Sequence, residues 1–381
     1  MNHRLPVTLV GGFLGAGKTS LLHHLISEHQ GGHLAVLVEN PGPLNLDAKA
    51  IRGLCGAMRR TDDAVFEISN GEETAQVEAI AACLRDLALA GKYERVLIEV
   101  AGTANASRLA QNFGIVPGQP DSFSQWAELH QVICVVDALD YFRSAKDPDA
   151  ALRDFLDEQI AGASLVVLNK CDLLEEGDLR QCSDQLRAEH PDVPIIETAY
   201  GEVSPEILLG RATEEELGFG FERSARRVAR NARVPELASA LYRVYRPFHP
   251  QRFWDWFNAD HAGLLRVKGL IWLATRNLLV GGVSRTRWQN SCGAAGIWWA
   301  ALPREEWPEG PDALVRMQET WREPYGDRRQ ELIMIGEPLL LSATMRSQLD
   351  ACLLSDEEYA RPVDEWATLP DPFPAWDVEE G

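Results

Sequence analysis

A glycine-rich segment near the start of the chain constrains its fold more than any other feature. From Gly12 to Thr19 its spacing matches the pattern GxxxxGK[ST]. The apolar run over residues 5–10 before it predicts a buried strand, and leucines at helical spacing predict a helix over residues 18–27. The segment therefore predicts a strand, a loop and a helix in direct succession, which is the context of a phosphate-binding loop.

The residue types in this loop suit a polyphosphate. Glycines let backbone N–H groups surround phosphate oxygens, and the free N–H groups at the start of a helix attract anions. The Lys18 ammonium can reach the β- and γ-phosphates, and the Thr19 hydroxyl is suited to Mg²⁺. We predict that a nucleoside triphosphate is bound here by Gly12, Gly15, Ala16, Gly17, Lys18, Thr19 and Ser20.

Further short apolar runs alternate with amphipathic helical segments. They predict strands over residues 34–38, 65–68, 96–98, 132–136, 165–168 and 193–196. The longest intervening helix is predicted over 73–90. This alternation predicts an α/β fold, the mostly parallel sheet of a P-loop NTPase with helices on both faces. Polar residues such as Glu39 and Asn169 follow the strands, at the edge where such sheets bind ligands.

The pattern changes after residue 209, where this P-loop domain is predicted to end. Residues 210–234 are rich in charge and predict a linker. A tryptophan-rich region over 235–355 carries two alternating strand-like segments, 265–272 and 331–336, and two helical ones, 251–258 and 343–354. We interpret it as a smaller α+β domain. The acidic tail, residues 356–381, is predicted either to pack as an extended strap through its tryptophans or to be partly disordered.

Asn169-Lys170-Cys171-Asp172 follows a predicted strand far downstream of the glycine loop. The Asp172 carboxylate can accept hydrogen bonds from the N1 and N2 donors of guanine. Adenine lacks that donor pair and would leave the carboxylate unpaired. We therefore predict GTP rather than ATP, with Asn169, Lys170 and Asp172 at the base.

Glu99-Val-Ala-Gly102 is predicted to be a second phosphate-sensing element. Glu99 can hold Mg²⁺ directly or through water, and the Gly102 N–H can approach the γ-phosphate. With Lys18 and Thr19 they complete the predicted catalytic set. The alternative is that Glu99 caps the following helix. Glu39 is a further candidate for positioning Mg²⁺ or water.

Charge and composition exclude several classes of protein. The formal charge of −20 argues against nucleic acid or an anionic membrane as a main partner. No apolar run approaches the length of a membrane span, and the first residues do not form a secretion signal. The seven cysteines are irregularly spaced and form no Cys-x-x-Cys pair, so a disulfide framework is not expected. We predict a cytoplasmic protein.

The chain resembles the CobW-type GTP-binding proteins, relatives of the UreG and HypB metallochaperones. The similar segments in the first domain are Gly12–Thr19, Ile98–Gly102, Ala110–Phe113, Val135–Ala138, Glu158–Ile160 and Leu168–Leu173. Those in the second are Arg246–Pro250, Lys268-Gly269, Trp298–Ala300 and Gly326–Glu331, which look most similar to the YciC-like zinc-chaperone branch.

One departure from the family pattern bears on the metal. The family typically carries Cys-x-Cys-Cys directly after an Asn-Gly, whereas Asn70-Gly71 is followed here by Glu72-Glu73-Thr74-Ala75. The thiolates that bind zinc are absent, so we do not expect zinc transfer through cysteines. Glu39, Glu72 and Glu73 could form an oxygen-based site, but acids also favour a helix start, and we prefer that explanation.

The resemblance implies a Mg²⁺-dependent GTP-binding protein that hydrolyses GTP slowly. It would cycle between GTP and GDP and act as a switch on a protein client in metal homeostasis or metallocofactor insertion. Two alternatives stay open. One is a non-catalytic GTP-binding adaptor that holds its partner through the second domain, and the other is a metallochaperone with carboxylate ligands.

Overall fold

The computed structural model describes residues 4–29, 33–40, 64–69, 73–102, 104–113, 123–146, 151–210, 238–307, 317, 320–336 and 344–376. The chain divides into two compact units, Met1–Pro235 and Glu236–Gly381. The predicted linker falls almost wholly outside the described residues, as do Glu72 and the segment after Asn40.

The first unit is built on a parallel sheet. Its described strands are β1 (Leu5–Gly11), β2 (His33–Asn40), β3 (Ala64–Ser69), β4 (Tyr93–Glu99), β5 (Ala127–Asp137), β6 (Leu165–Asn169) and β7 (Ile195–Glu197). They are arranged in the order β3-β2-β4-β1-β5-β6-β7, with every pairing parallel. The glycine loop therefore leaves the central strand, in the crevice between β4 and β5 where such sheets bind ligands.

Helices cover both faces of this sheet. They are α1 (Lys18–Glu28), α2 (Glu73–Ala90), α3 (Ala106–Gln111), α4 (Ala138–Ser144), α5 (Ala151–Ala161), α6 (Glu176–Glu189) and α7 (Pro205–Leu208). Within β2, Val36 packs into one apolar core with α1, and Leu37 packs into a second core with α2. Alternate residues of one strand thus face opposite helical layers, which explains its continuous apolar sequence. The predicted doubly covered α/β fold is confirmed.

Helix α1 is held by its apolar stripe. Leu21, Leu22, Leu25 and Ile26 are each at most 2% exposed, and burying such a side chain contributes about 2 kcal/mol. The helix begins at Lys18, directly after Gly17 in a left-handed conformation. Packing therefore fixes the helix whose first turn borders the glycine loop.

The second unit contains a five-stranded antiparallel sheet in the order β11-β10-β9-β12-β8. Its strands are β8 (Ala238–Val244), β9 (Leu264–Ile271), β10 (Leu279–Thr286), β11 (Asn290–Ile297) and β12 (Gln330–Gly336). The helices are α8 (Pro250–Asn258), α9 (Thr344–Cys352), α10 (Asp356–Tyr359) and α11 (Val363–Trp366). Helices α8 and α9 contribute Phe253, Phe257 and Leu349 to the core beneath the sheet.

The sequence predicted only two of these five strands. Strands β10 and β11 were missed because Gly281-Gly282, Gly293 and Gly296 give them little β-propensity. Long-range pairing, rather than local preference, makes these segments strands.

The described part of the tail packs against this unit. Trp366 is 1% exposed, and Asp371 accepts two hydrogen bonds from the Arg276 guanidinium, at 2.8 and 3.0 Å. The predicted packing through aromatic side chains is observed at Trp366. The predicted extended conformation is wrong for residues 356–366, because Ser355 and Glu358 form a capping box that starts a short helix.

Candidate functional site

The glycine loop lies directly against the central strands. Gly12, Gly15 and Gly17 have φ angles of 130°, 83° and 106°, which L-residues with side chains rarely adopt. A Cβ atom on Gly12 would lie 2.2 Å from the Val135 carbonyl oxygen of β5. The loop therefore needs glycine both for its backbone conformation and for its close packing.

Lys18 curls back over this loop. Its side chain is buried, and its Nζ donates hydrogen bonds to the carbonyl oxygens of Gly12 at 2.9 Å and of Phe13 at 3.3 Å. The positive charge is thus held against the backbone of the loop. An anion in the loop would meet the ammonium group and the first turn of α1 together.

Thr19 and Glu99 meet although they lie 80 positions apart in sequence. The Thr19 hydroxyl donates to Glu99 Oε1 at 3.0 Å, and Glu99 is buried at the end of β4. The alternative that Glu99 caps the next helix is wrong, because α3 begins at Ala106 and Asn105 caps it by accepting from the Ser107 N–H at 2.8 Å. The structure brings these two predicted magnesium ligands together.

Glu39, at the end of β2, lies beside the same element. Its Oε2 accepts a hydrogen bond from the Ala101 N–H at 2.8 Å, and the residue is 5% exposed. Burial raises the pKa of the Glu39 carboxyl to about 7, although the Ala101 hydrogen bond and the Lys18 charge oppose the shift. Glu39 is therefore held inside the site rather than left at the surface.

Gly102 packs against the glycine loop. A Cβ atom at this position would lie 2.6 Å from the Leu14 backbone nitrogen. The Glu99–Gly102 element thus contacts three parts of the site: Thr19 through Glu99, Glu39 through Ala101, and the loop through Gly102. A change in the loop would be transmitted directly to this element.

Asn169 joins the glycine loop to the loop after β7. Its Nδ2 donates to the Ala16 carbonyl oxygen at 2.8 Å, and its Oδ1 accepts from the Gly201 N–H at 3.0 Å. Asp172 lies in a short 3₁₀ turn, Cys171–Leu173, with its side chain exposed. Lys170 reaches Asp137, with Nζ and Oδ2 2.6 Å apart.

The loop after β7 is a part of the site that the sequence analysis missed. Tyr200 has a φ of 57° and is 72% exposed, and Gly201 packs so closely on α1 that a Cβ atom would lie 2.8 Å from the Leu21 nitrogen. The sequence could have indicated this loop, because it directly follows a predicted strand of the parallel sheet, at the edge where such sheets bind ligands. A cavity of about 320 Å³ opens here, lined by Thr19, Ser20, His23, His24, Ser27, Tyr200 and Glu202.

Metal-ligating side chains converge at one other place among the described residues, where Asp157, Glu189 and His190 lie together. Arg153 forms ion pairs with both carboxylates there, and the Tyr141 hydroxyl donates to Glu189 at 2.8 Å. The Arg153 guanidinium already pairs with both acids, so we assign this cluster to structure. Of the helices in the described ranges, none has the length and apolar character needed to cross a bilayer.

Comparison with known proteins agrees with this geometry. The nucleotide-binding domain of CobW/HypB/UreG matches residues 6–197, and the cobalamin synthesis protein CobW C-terminal domain matches residues 237–353. The chain belongs to the CobW/HypB/UreG family. The predicted resemblance is confirmed, and the nucleotide-binding domain of this family member is a P-loop GTPase domain.

Relatives in this family differ in how much of the chain they share. The zinc-regulated GTPase metalloprotein activator 1 of Dictyostelium discoideum is 28% identical over 97% of this chain and 84% of its own length. The zinc chaperone CobW of Pseudomonas aeruginosa is 33% identical over 56% of this chain and 62% of its own. The solved structure of the Zn(II)-bound YjiA GTPase from E. coli is 17% identical, covers 92% of this chain and 100% of its own, and has a TM-score of 0.38.

Proposed function

We propose that the first unit binds Mg²⁺·GTP and hydrolyses it slowly, and that the bound nucleotide switches the protein's interaction with a client protein. The observation that carries this proposal is the Thr19–Glu99 hydrogen bond of 3.0 Å, formed beside a glycine loop with Lys18 folded over it. A hydroxyl and a carboxylate are thereby held at the edge of a phosphate cradle before any nucleotide binds.

The donor set at this edge fits magnesium. Thr19 and Glu99 offer a hydroxyl and a carboxylate, and Glu39 offers a second carboxylate nearby. Mg²⁺ prefers such hard oxygen ligands and keeps several waters. When bound, the ion would neutralise charge on the β- and γ-phosphates. Lys18 would supply a positive charge to the phosphates, and the loop N–H groups would orient them.

The base is proposed to bind next to Asn169. This side chain hydrogen-bonds both the phosphate loop and the Gly201 loop and so fixes the distance between them. Asp172, exposed at the same edge, is the acceptor for guanine N1 and N2.

The switch is proposed to run through Glu99–Gly102. This element contacts Thr19, Glu39 and Leu14. A γ-phosphate that accepts a hydrogen bond from the Gly102 N–H would therefore also affect Glu39 at the end of β2. A bound γ-phosphate would thus shift all three contacts together, and its loss would restore the arrangement of the nucleotide-free protein.

Names of relatives suggest the cellular setting. Its relatives include a zinc-regulated GTPase metalloprotein activator and a zinc chaperone. We propose that this protein also acts in metal homeostasis or metallocofactor insertion. Glu72, Thr74 and Ala75 stand where the family pattern carries its three cysteines, so we propose that its client interaction depends on the nucleotide and not on zinc transfer through thiolates.

The test is GTP turnover with and without Mg²⁺. We expect slow Mg²⁺-dependent hydrolysis of GTP but not of ATP. Lys18→Ala should abolish nucleotide binding, because it removes the cation next to the loop. Asp172→Asn should lower the affinity for GTP without raising the affinity for ATP. Lys146→Ala removes an exposed lysine after α4 and serves as the matched control.

Three outcomes would contradict parts of this proposal. Equal binding of ATP and GTP, or of neither, would remove the nucleotide assignment. GTP binding with no hydrolysis above background would favour the non-catalytic adaptor. A pull-down in which a non-hydrolysable GTP analogue and GDP retain the same proteins would remove the switch.

A further inference from the structure

Asp137 connects the predicted guanine motif to the protein framework. It ends β5 directly opposite Asn169 in the β5–β6 pairing and is 4% exposed. Its Oδ1 accepts hydrogen bonds from the N–H groups of Leu139 at 3.0 Å and Asp140 at 3.2 Å, which caps α4. Its Oδ2 accepts from Lys170 Nζ at 2.6 Å. One carboxylate therefore binds a helix start and a lysine at the same time.

Lys170 needs such an anchor. Its backbone is left-handed, with a φ of 62°, and its side chain is 26% exposed beside a carboxylate that is 5% exposed. A lysine side chain loses up to about 2 kcal/mol of rotamer entropy when it is fixed. If Asp137 fixes it in the empty protein, that cost is not repeated when a ligand binds.

We propose that Asp137 is a positioning residue for the nucleotide, holding Lys170 in place alongside the guanosine before it binds. This inference depends on the proposed function, since it takes the Asn169–Asp172 edge as the nucleoside site. Because the other oxygen of the same carboxylate is bound to the first turn of α4, Lys170 is tied to a rigid element rather than to another mobile side chain.

The competing explanation is that Asp137 serves only as a helix cap. The two roles can be separated because they use different oxygens. Asparagine caps helices as well as aspartate, so Asp137→Asn retains an acceptor for Leu139 and Asp140. Its amide nitrogen would then face the Lys170 ammonium, and two donors cannot bond each other.

The experiment is a double-mutant cycle on the full chain, with the dissociation constant of a fluorescent mant-GDP as the readout. We expect Asp137→Asn and Lys170→Ala each to weaken binding about tenfold. The double variant should be no weaker than Lys170→Ala alone, because Asp137 acts through Lys170. Melting temperature, followed in parallel, should change little in Asp137→Asn. Asp178→Asn, an exposed acid on α6, controls for net charge and should bind as the wild type does.

Two outcomes would overturn the inference while leaving the nucleotide site intact. One is unchanged affinity in Asp137→Asn or in Lys170→Ala, and the other is additive losses in the double variant. If the wild type itself bound no mant-GDP, or if Lys18→Ala bound it equally well, the proposed function would fail first. The two failures are therefore distinguishable within one set of titrations.

Discussion

Gly12 determines, at the scale of a single residue, whether the phosphate loop can form. Its φ of 130° lies outside the range open to side-chain-bearing residues, and the Val135 carbonyl oxygen fills the space that a Cβ would need. The sequence pattern specified this glycine, but the strand against which it packs became visible only in the structure.

We expect Gly12→Ala to abolish nucleotide binding and to destabilise the first unit by about 3 kcal/mol, through backbone strain and a steric clash together. Gly91→Ala is the matched control. It also has a positive φ, 64°, but nothing lies within 4 Å of the added Cβ, so its cost should be only about 1 kcal/mol. Equal losses in chemical unfolding of the two variants would contradict this account.

Glu39 makes the stability of the first unit depend on pH. Its carboxyl is buried and its pKa is raised to about 7 from an ordinary value of 4.5. Between these two values the folded state binds more protons than the unfolded state. Its stabilising contribution is therefore complete below pH 4.5 and is lost as the pH rises through 7.

In nucleotide-free protein with EDTA, Glu39→Gln should remove the loss of stability at rising pH, because an amide does not ionise. It retains an acceptor for the Ala101 N–H. Relative to Glu39→Gln, the wild type should lose about 2–3 kcal/mol between pH 5 and pH 8, as a shift of this size implies. Hydrogen exchange of β1 amides at both pH values measures it, because these amides report on the first unit alone. Parallel pH profiles for the two proteins would contradict the prediction.

At the scale of elements, the site is an edge where separate loops are joined by single side chains. Asn169 bridges residues that are 153 and 32 positions away from it. The motif that contains it predicted a base-reading role. Its contact with the phosphate loop depends on β6 lying two strands from β1, and that order is set by packing of the whole sheet.

Asn169→Ala should destabilise the first unit by about 3 kcal/mol, because it leaves the Ala16 carbonyl and the Gly201 N–H buried without this partner. The substitution should also weaken GDP binding, because the phosphate loop and the Gly201 loop would no longer be joined. Asn112→Ala, at the end of α3, removes hydrogen bonds of 3.2 and 3.4 Å at a more exposed place and should cost less than about 1 kcal/mol. Similar unfolding midpoints for the two variants would show that the bridge is unimportant.

At the scale of the whole molecule, the chain forms two units with separate cores. The tail belongs to the second unit: Trp366 and Phe373 are buried in its clusters, and Asp371 binds Arg276. The region predicted as a separate tail therefore contributes to the fold of that unit.

Trp366→Ala should destabilise the second unit by about 4 kcal/mol, the usual cost of removing a buried tryptophan. Leu278→Ala removes a large apolar side chain that is 61% exposed and should change stability by less than about 0.5 kcal/mol. Hydrogen exchange of β9 and β12 amides measures both. If exchange in β1 were accelerated equally by Trp366→Ala, the two units would not unfold separately.

The sequence by itself determined the local features of this protein: the phosphate loop, the apolar strands of the parallel sheet and helix α2 from Glu73 to Ala90. These depend on backbone conformation and on the period of apolar residues, both of which are written in neighbouring positions. Only the tertiary structure decided the Thr19–Glu99 pair, the Asn169 bridge, the Asp137–Lys170 link and the pairing of the glycine-rich strands β10 and β11. Each joins segments whose proximity follows from strand order and long-range pairing, and local preferences do not encode either of these.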